Sequence, residues 1–216
     1  MKDFAVIGLG NFGATVAREL KALKCKVTAI DSDKAKVQEL AEGIDLAMFA
    51  DATDRKFLEN LEVDGFDCFI VSTGEDSHAS ILITLHLKEL GAKRIVVKAN
   101  THEHAKILMK VGATEALIPE EQMAIRISHS LAQSNLIDYL PLTTDFSVAE
   151  LVPPATFIGK TLQELKLRTK YKVQVVAIKD TTEGSFNFVP GGNYTIRDTD
   201  LLLLLGKQED IDAVNR

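Results

Sequence analysis

The sequence predicts an α/β protein, with a doubly wound parallel sheet and a crossover helix in its first part and a small α+β domain after it. Short apolar runs alternate with amphipathic helical patterns as far as residue 118, and strand-like runs separated by glycine and proline turns follow from Phe146. Strands and helices that alternate at this spacing form βαβ units around a parallel sheet.

Six apolar runs are predicted to be the strands of the parallel sheet. They are apolar throughout rather than alternating, which is typical of strands covered by helices on both faces. The runs are 4–7, 27–30, 46–49, 68–71, 95–97 and 116–118. Right-handed crossovers then leave little topological freedom for the domain.

A longer amphipathic pattern from Glu120 to Leu140 predicts the crossover helix. Its apolar residues recur at steps of four and cover more than one stripe of the helix, so we expect it to bury two faces, one of them against a second subunit. A linker is predicted at 141–145. The predicted domains are therefore 1–137 and 138–216.

The second domain is predicted to be small, with strands at 148–152, 173–178 and 201–205 and a short helix at 162–165. A domain of this size has a marginal core, and we expect it to form dimers.

Composition excludes several classes of function. The net charge is −6 and no basic block is present, which argues against nucleic acid as a partner. The longest apolar run, 201–205, is far shorter than the ~20 residues that span a bilayer. We expect no signal peptide before the first strand, and we expect Cys25 and Cys68 to be reduced thiols. We therefore expect a cytoplasmic protein.

A glycine-rich segment at 8–13 has the sequence GLGNFG and lies between the first strand and the first helix. The first glycine permits a tight turn, the second lets the backbone approach a pyrophosphate, and the third lets the helix pack on the strand. Asp31 ends the second strand, where an acidic residue accepts hydrogen bonds from ribose hydroxyls and repels a 2′-phosphate. The segment therefore predicts a Rossmann-type site for an adenine nucleotide, with NADP disfavoured.

Polar residues after the other strands lie at the same carboxyl edge of the sheet, where ligands bind. The alternative for Thr53 is a helix N-cap, and the alternative for Lys98 is a solvated surface lysine. The full set of predicted nucleotide contacts is Gly8, Gly10, Asn11, Phe12, Gly13, Asp31, Asp51, Ala52, Thr53, Thr73, Gly74 and Lys98.

Catalytic motifs are absent from the sequence. No Tyr-x-x-x-Lys pair, Ser-His-Asp signature or zinc-spaced Cys/His cluster occurs, and His102 and His104 are predicted to lie on a helix surface. A nucleotide site without such groups suggests a sensor.

Together these motifs resemble an RCK domain, also called TrkA-N, of the family that regulates the conductance of potassium. The residues that carry the resemblance are 4–13, Asp31, 51–53, 97–99, 112–113 and 119–120. The segments 158–162, 175–178 and 196–201, with Gly206, look like the companion TrkA-C domain. The resemblance covers essentially the whole chain and is greatest to KtrA-like regulatory subunits of Ktr and Trk potassium-uptake systems.

The resemblance implies a cytosolic gating ring that controls potassium flux and is not an enzyme. Members of the family pair, assemble into octamers, bind ATP, ADP or NAD(H), and dock on a membrane potassium-translocating subunit of the KtrB or TrkH type. The resemblance also implies that Lys98 lies near the phosphates and that Glu120 helps to hold Mg²⁺ or Ca²⁺ between subunits. The alternative for Glu120 is an acidic residue in the first turn of a helix, where its negative charge complements the helix dipole.

The sequence departs from the family at Asn11, where KtrA-like proteins commonly carry an arginine that reaches the terminal phosphate of ATP. Without this arginine we do not expect the site to discriminate ATP from ADP, and NAD(H) or AMP is favoured as the ligand. Two alternative functions stay open: a small NAD-dependent oxidoreductase, and a cyclic-dinucleotide sensor suggested only by Arg168 and Tyr171.

Overall fold

Six parallel strands form the central sheet of the first part of the chain. The computed structural model describes residues 1–132, 135–143 and 145–214. The strand order is β3-β2-β1-β4-β5-β6, so the direction of winding reverses between β1 and β4. The strands are β1 (Asp3–Ile7), β2 (Lys26–Asp31), β3 (Leu46–Phe49), β4 (Cys68–Val71), β5 (Ile95–Lys98) and β6 (Glu115–Leu117).

Five helices connect these strands, and acidic or hydroxyl side chains begin most of them. Asp33, Asp54, Asp76 and Thr101 each accept a hydrogen bond from a backbone N–H of the following helix, which satisfies a donor that the helix itself leaves unpaired. The helices are α1 (Asn11–Ala22), α2 (Lys34–Ala41), α3 (Arg55–Asn60), α4 (Ser77–Glu89) and α5 (His102–Val111).

The sheet has a core on each face, as the continuous apolar runs predicted. Ile7 and Val71 belong to one buried cluster, whereas Val6 and Ile70 belong to the other, because successive side chains of a strand point to opposite faces. The edge strand β3 departs from the prediction, since Leu46 and Phe49 are exposed. An edge strand receives less cover from the helices than the central strands do.

An antiparallel sheet forms the centre of the second part of the chain, with the strand order β10-β9-β11-β8-β7. Its strands are β7 (Leu136–Pro141), β8 (Phe146–Leu151), β9 (Gln174–Asp180), β10 (Phe186–Phe188) and β11 (Asp200–Lys207). Its helices are α6 (Pro119–Ala132), α7 (Leu162–Leu165), α8 (Leu167–Lys170) and α9 (Gln208–Val214). The three strands and the short helix predicted from the sequence are confirmed.

The predicted helix from Glu120 to Leu140 is wrong in its last part. Residues 136–141 form strand β7, which pairs with β8, and the described helical residues end at Ala132. The predicted linker at 141–145 is a hairpin connection, in which the Leu142 and Thr143 N–H groups donate to the Phe146 carbonyl; Thr144 lies outside the described residues. Apolar residues at steps of four fit a strand face as well as a helix stripe over so short a segment.

The chain divides into two compact units, Met1–Pro119 and Glu120–Arg216. The division lies earlier than the boundary predicted after residue 137, which falls inside β7. α6 belongs with the second unit because Arg126 forms an ion pair with Asp138 of β7 and Ser130 donates to the Leu136 carbonyl.

Neither cysteine forms a disulfide, and Cys68 is buried in the sheet. Within the described parts of the chain, no helix combines the length and apolar character that crossing a bilayer requires.

Candidate nucleotide-binding site

The turn between β1 and α1 requires glycine at two positions. Gly8 has a φ of +91°, and a Cβ there would lie 2.0 Å from the Ser72 carbonyl oxygen of the neighbouring strand end. A Cβ on Gly13 would lie 1.9 Å from the Gly8 carbonyl oxygen, so α1 can approach β1 only without a side chain. These two glycines serve the fold of the turn.

Gly10 serves a different purpose, because a Cβ there would meet no atom within 4 Å. It is the residue before α1 and has an extended backbone. The N–H groups of the first helical turn have no partner within a helix, and the helix dipole favours negative charge at this end. The open space in front of Gly10 is therefore suited to a phosphate group.

Asp31 lies beside the glycine turn, as its position at the end of β2 predicted. Its carboxylate accepts hydrogen bonds from the Leu9 N–H at 2.6 Å and from the Asp33 N–H at 2.7 Å. The Lys36 ammonium nitrogen is 3.9 Å from the same carboxylate. A carboxylate oxygen accepts more than one hydrogen bond, so Asp31 can receive ribose hydroxyls while it holds the turn.

Asp51 and Thr53 form a small hydrogen-bonded unit after β3. The Thr53 hydroxyl donates to Asp51 at 2.7 Å and the Thr53 N–H donates to the same oxygen at 2.9 Å; these two bonds hold the pKa of Asp51 below its usual range. The N-cap alternative for Thr53 is wrong, because Asp54 caps α3. The Ala50 N–H donates to the Asp31 carbonyl, so this unit lies next to Asp31, and Ala52 is buried beneath it.

The remaining predicted contacts follow β4 and β5 at the same edge of the sheet. Gly74 has a φ of +67°, and the Thr73 hydroxyl donates to the Asp76 carbonyl, which shapes the loop before α4. Lys98 is the last residue of β5. The first unit thus brings Gly8–Gly13, Asp31 and 51–53 together directly, whereas Lys98 lies on the second strand from β1. Glu120 lies in the first turn of α6 and belongs to the second unit.

The sequence analysis missed Arg18 and Lys36, which line a cavity beside Asp31. Both residues were visible in the sequence as basic positions of predicted helices, but only the fold places the two helices beside one cavity.

The sequence analysis predicted that His104 lies on a helix surface, and this prediction is wrong. His104 is buried between α4 and α5. Its Nδ1 accepts a hydrogen bond from the Asn100 N–H at 3.3 Å, and its Nε2 lies 2.9 Å from the Ser80 hydroxyl oxygen. Because Nδ1 is an acceptor, we infer that the ring is neutral and that Nε2 donates to Ser80. Burial lowers the pKa of His104.

Acidification should therefore destabilise the first unit through His104. The pKa of this histidine is lower in the folded chain than its ordinary value of 6.5. Its contribution to the free energy of unfolding is therefore fully present above pH 6.5 and is lost as the pH falls towards the pKa of the folded chain. Thermal unfolding at pH 8 and pH 5.5 should show a larger loss for the native chain than for His104→Gln. An equal loss in both proteins would show that other groups control the acid sensitivity.

Models of two protein families match the chain: the TrkA-N domain at residues 4–119 and the TrkA-C domain at residues 147–216. The chain is 41% identical over 215 residues to Ktr system potassium uptake protein C of Bacillus subtilis (strain 168), covering 100% of this chain and 96% of that protein. It is 36% identical over 210 residues to Ktr system potassium uptake protein A of the same organism, covering 97% and 94%.

Solved structures share the fold at lower identity. The RCK domain of GsuK superimposes with a TM-score of 0.68 and 18% identity, over 99% of this chain and 47% of that chain. The GsuK channel bound to NAD superimposes with a TM-score of 0.69 and 19% identity, over 99% of this chain and 38% of that chain. This chain therefore spans about half the length, or less, of these two GsuK structures.

Proposed function

The chain belongs to the family of proteins with TrkA-N and TrkA-C domains, and on that basis we propose that it is a regulatory subunit of a potassium channel or transporter. In this proposal the subunit lies at the cytoplasmic face of the membrane, binds an adenine nucleotide and controls potassium flux. The observation that carries the proposal is the glycine turn, open at Gly10 and hydrogen-bonded to Asp31. The names of the two Bacillus subtilis relatives support the link to potassium uptake.

The bound nucleotide places its phosphates on the first turn of α1 and its ribose hydroxyls on Asp31. The backbone at Gly10 supports the phosphates because no side chain fills the space there. Thr73, Gly74 and Lys98 contribute from the ends of β4 and β5, with the Lys98 ammonium directed to the phosphates.

NAD(H) and AMP are the favoured nucleotides, and the site does not discriminate strongly between ADP and ATP. Asn11 begins α1, and its uncharged side chain cannot supply the charge-assisted bonds that an arginine gives to a terminal phosphate. ATP and ADP should therefore bind with affinities that differ less than about tenfold, or about 1.4 kcal/mol. Mass spectrometry of the nucleotide that copurifies with the protein would identify the ligand.

Glu120 provides a carboxylate for a divalent cation beside the phosphates of a paired subunit. Carboxylate and phosphate oxygens are the ligands that Mg²⁺ and Ca²⁺ prefer. Nucleotide affinity measured with and without chelator, in the native chain and in Glu120→Gln, distinguishes this role from that of an acid at a helix N-terminus.

The assembled form is a ring of paired subunits, up to an octamer, that docks on the membrane potassium-translocating subunit. A nucleotide can change the shape of such a ring only by binding its two shapes with different affinity. A coupling of about 1–3 kcal/mol at each site is in the usual range for allostery. Potassium uptake in cells that express the membrane subunit should therefore depend on this chain and on its nucleotide.

The second candidate function is a small NAD-dependent oxidoreductase, which the glycine turn and Asp31 would also serve. Turnover of NADH with carbonyl substrates would favour this alternative. The relatives named for potassium uptake favour a sensor that binds the nucleotide without converting it.

Replacing Asp31 by alanine should weaken nucleotide binding by about 1.5–3 kcal/mol, the contribution of hydrogen bonds to a charged group. This corresponds to roughly a ten- to hundredfold loss of affinity in calorimetry. Asp31→Asn is the matched control, because its amide oxygen can still accept from the Leu9 N–H while the charge is lost. If Asp31→Ala binds as tightly as the native chain, the ribose does not lie at Asp31.

A further inference from the structure

A cavity of about 230 Å³ lies between α1 and α2, on the side of the glycine turn that faces away from β4. Leu9 and Gly10 form its wall towards the turn, and two cationic side chains, Arg18 and Lys36, line it together with Glu39. None of these charged residues is among the predicted nucleotide contacts.

The cavity adjoins the carboxylate that holds the ribose. Lys36 reaches from the cavity to within 3.9 Å of the Asp31 carboxylate, and the Leu9 N–H donates to the same oxygen. The cavity therefore lies within reach of a substituent on a ribose hydroxyl bound at Asp31.

Arg18 is available to an anion at the opposite wall. It comes from the face of α1 that also carries Asn11, seven residues earlier, and its guanidinium is 3.3 Å from Glu39. The side chains of Arg18 and Glu39 are 53% and 74% exposed, and an ion pair this exposed contributes little to stability. A phosphate could replace Glu39 as the partner of Arg18 at small cost, since arginine binds phosphate with paired hydrogen bonds.

We propose that this cavity is a subsite for a phosphate on the 2′ carbon of the adenosine ribose, so that the chain accepts 2′-phosphorylated adenine nucleotides of the NADP(H) type. The proposal rests on the nucleotide site proposed above. An acidic residue after the second strand of this fold selects ribose hydroxyls, and a nearby arginine accommodates a 2′-phosphate. Asp31 alone would repel that phosphate, but the Lys36 ammonium lies 3.9 Å from the carboxylate, also lines the cavity, and offsets the repulsion.

Three adenosine ligands test the subsite by calorimetry: AMP, adenosine 2′,5′-bisphosphate and adenosine 3′,5′-bisphosphate. The native chain should bind the 2′,5′-bisphosphate at least as tightly as AMP and more tightly than the 3′,5′ isomer. Arg18→Gln should weaken the 2′,5′-bisphosphate at least tenfold and change AMP by less than twofold. Glu39→Gln should strengthen the 2′,5′-bisphosphate, because it removes a negative charge and releases Arg18.

Arg94→Gln is the matched control, since Arg94 forms an exposed ion pair with Glu115 on another surface and should leave all three affinities unchanged. The subsite is overturned if the native chain binds the 2′,5′-bisphosphate more than tenfold more weakly than AMP, if the 3′,5′ isomer binds equally well, or if Arg18→Gln weakens AMP to the same extent. Rejection of the bisphosphate by a chain that binds AMP overturns only this inference. Failure to bind any of the three ligands overturns the nucleotide site as well.

Discussion

Replacing Gly13 by alanine should destabilise the first unit by about 3 kcal/mol or more, at the upper end of the cost of forcing extra atoms into a packed site. The new Cβ would lie 1.9 Å from the Gly8 carbonyl oxygen, and a backbone atom cannot move aside as a flexible side chain can. Either α1 must move off β1 or the turn must change. Thermal unfolding should show a fall of roughly 10 °C in Tm, together with a loss of nucleotide binding.

Gly10→Ala is the control for Gly13→Ala, because the two glycines lie in the same turn and differ in what surrounds them. A Cβ on Gly10 meets no atom of the chain, so the fold should keep its Tm within about 1–2 °C while nucleotide affinity falls, since the methyl group occupies the space of the phosphate. Equal destabilisation by both substitutions would contradict the assignment of separate roles.

The parallel sheet could be predicted from the sequence because its signal is local and redundant. Each central strand is a continuous apolar run, and the helices that follow β2, β4 and β5 each begin with a capping side chain. The exposed side chains of β3 could not be predicted from the run 46–49, because exposure depends on the strand's place at the edge of the sheet, which is set by the other strands.

The boundary of α6 shows where periodicity fails. Ile127, Leu131 and Tyr139 fit one helical stripe, but Tyr139 is buried in a strand, where its hydroxyl accepts a hydrogen bond from Ser147 of β8. The pairing of β7 with β8 is a tertiary contact, and no pattern within 136–141 reveals it. Tertiary pairing therefore overrides a helical period over a short segment.

The candidate site was predictable to the extent that one motif defines it. Gly8, Gly13 and Asp31 could be placed because a strand, a turn and a helix follow each other in the chain. The cavity between Arg18 and Lys36 and the burial of His104 both depend on how two helices pack, and a single helix pattern does not contain that information.

Replacing Ile127 on α6 by aspartate should dissociate the assembly. No described residue of α6 is buried, and its apolar side chains are exposed, with Ile127 at 49% and Leu131 at 81%. Apolar side chains exposed in this way on one helix indicate an interaction surface. In a two-fold symmetric pair each substitution acts twice, and each lost isoleucine contact costs about 1.5–3 kcal/mol before the burial of a charge is added. The dissociation constant of the pair should therefore rise by at least a hundredfold, or about 2.8 kcal/mol.

Light scattering at micromolar concentration measures this change directly. The native chain should have a mass of several subunits, up to eight, and Ile127→Asp should have a mass near 23.7 kDa. Leu23→Asp is the control, because Leu23 is 72% exposed but follows α1 in the first unit, away from α6 in the chain. A native chain that stays monomeric with and without nucleotide would rule out the ring and favour the oxidoreductase. If instead the native chain is oligomeric and both variants match its mass, the ring is held by another surface, because the charge at Ile127 would then lie in solvent.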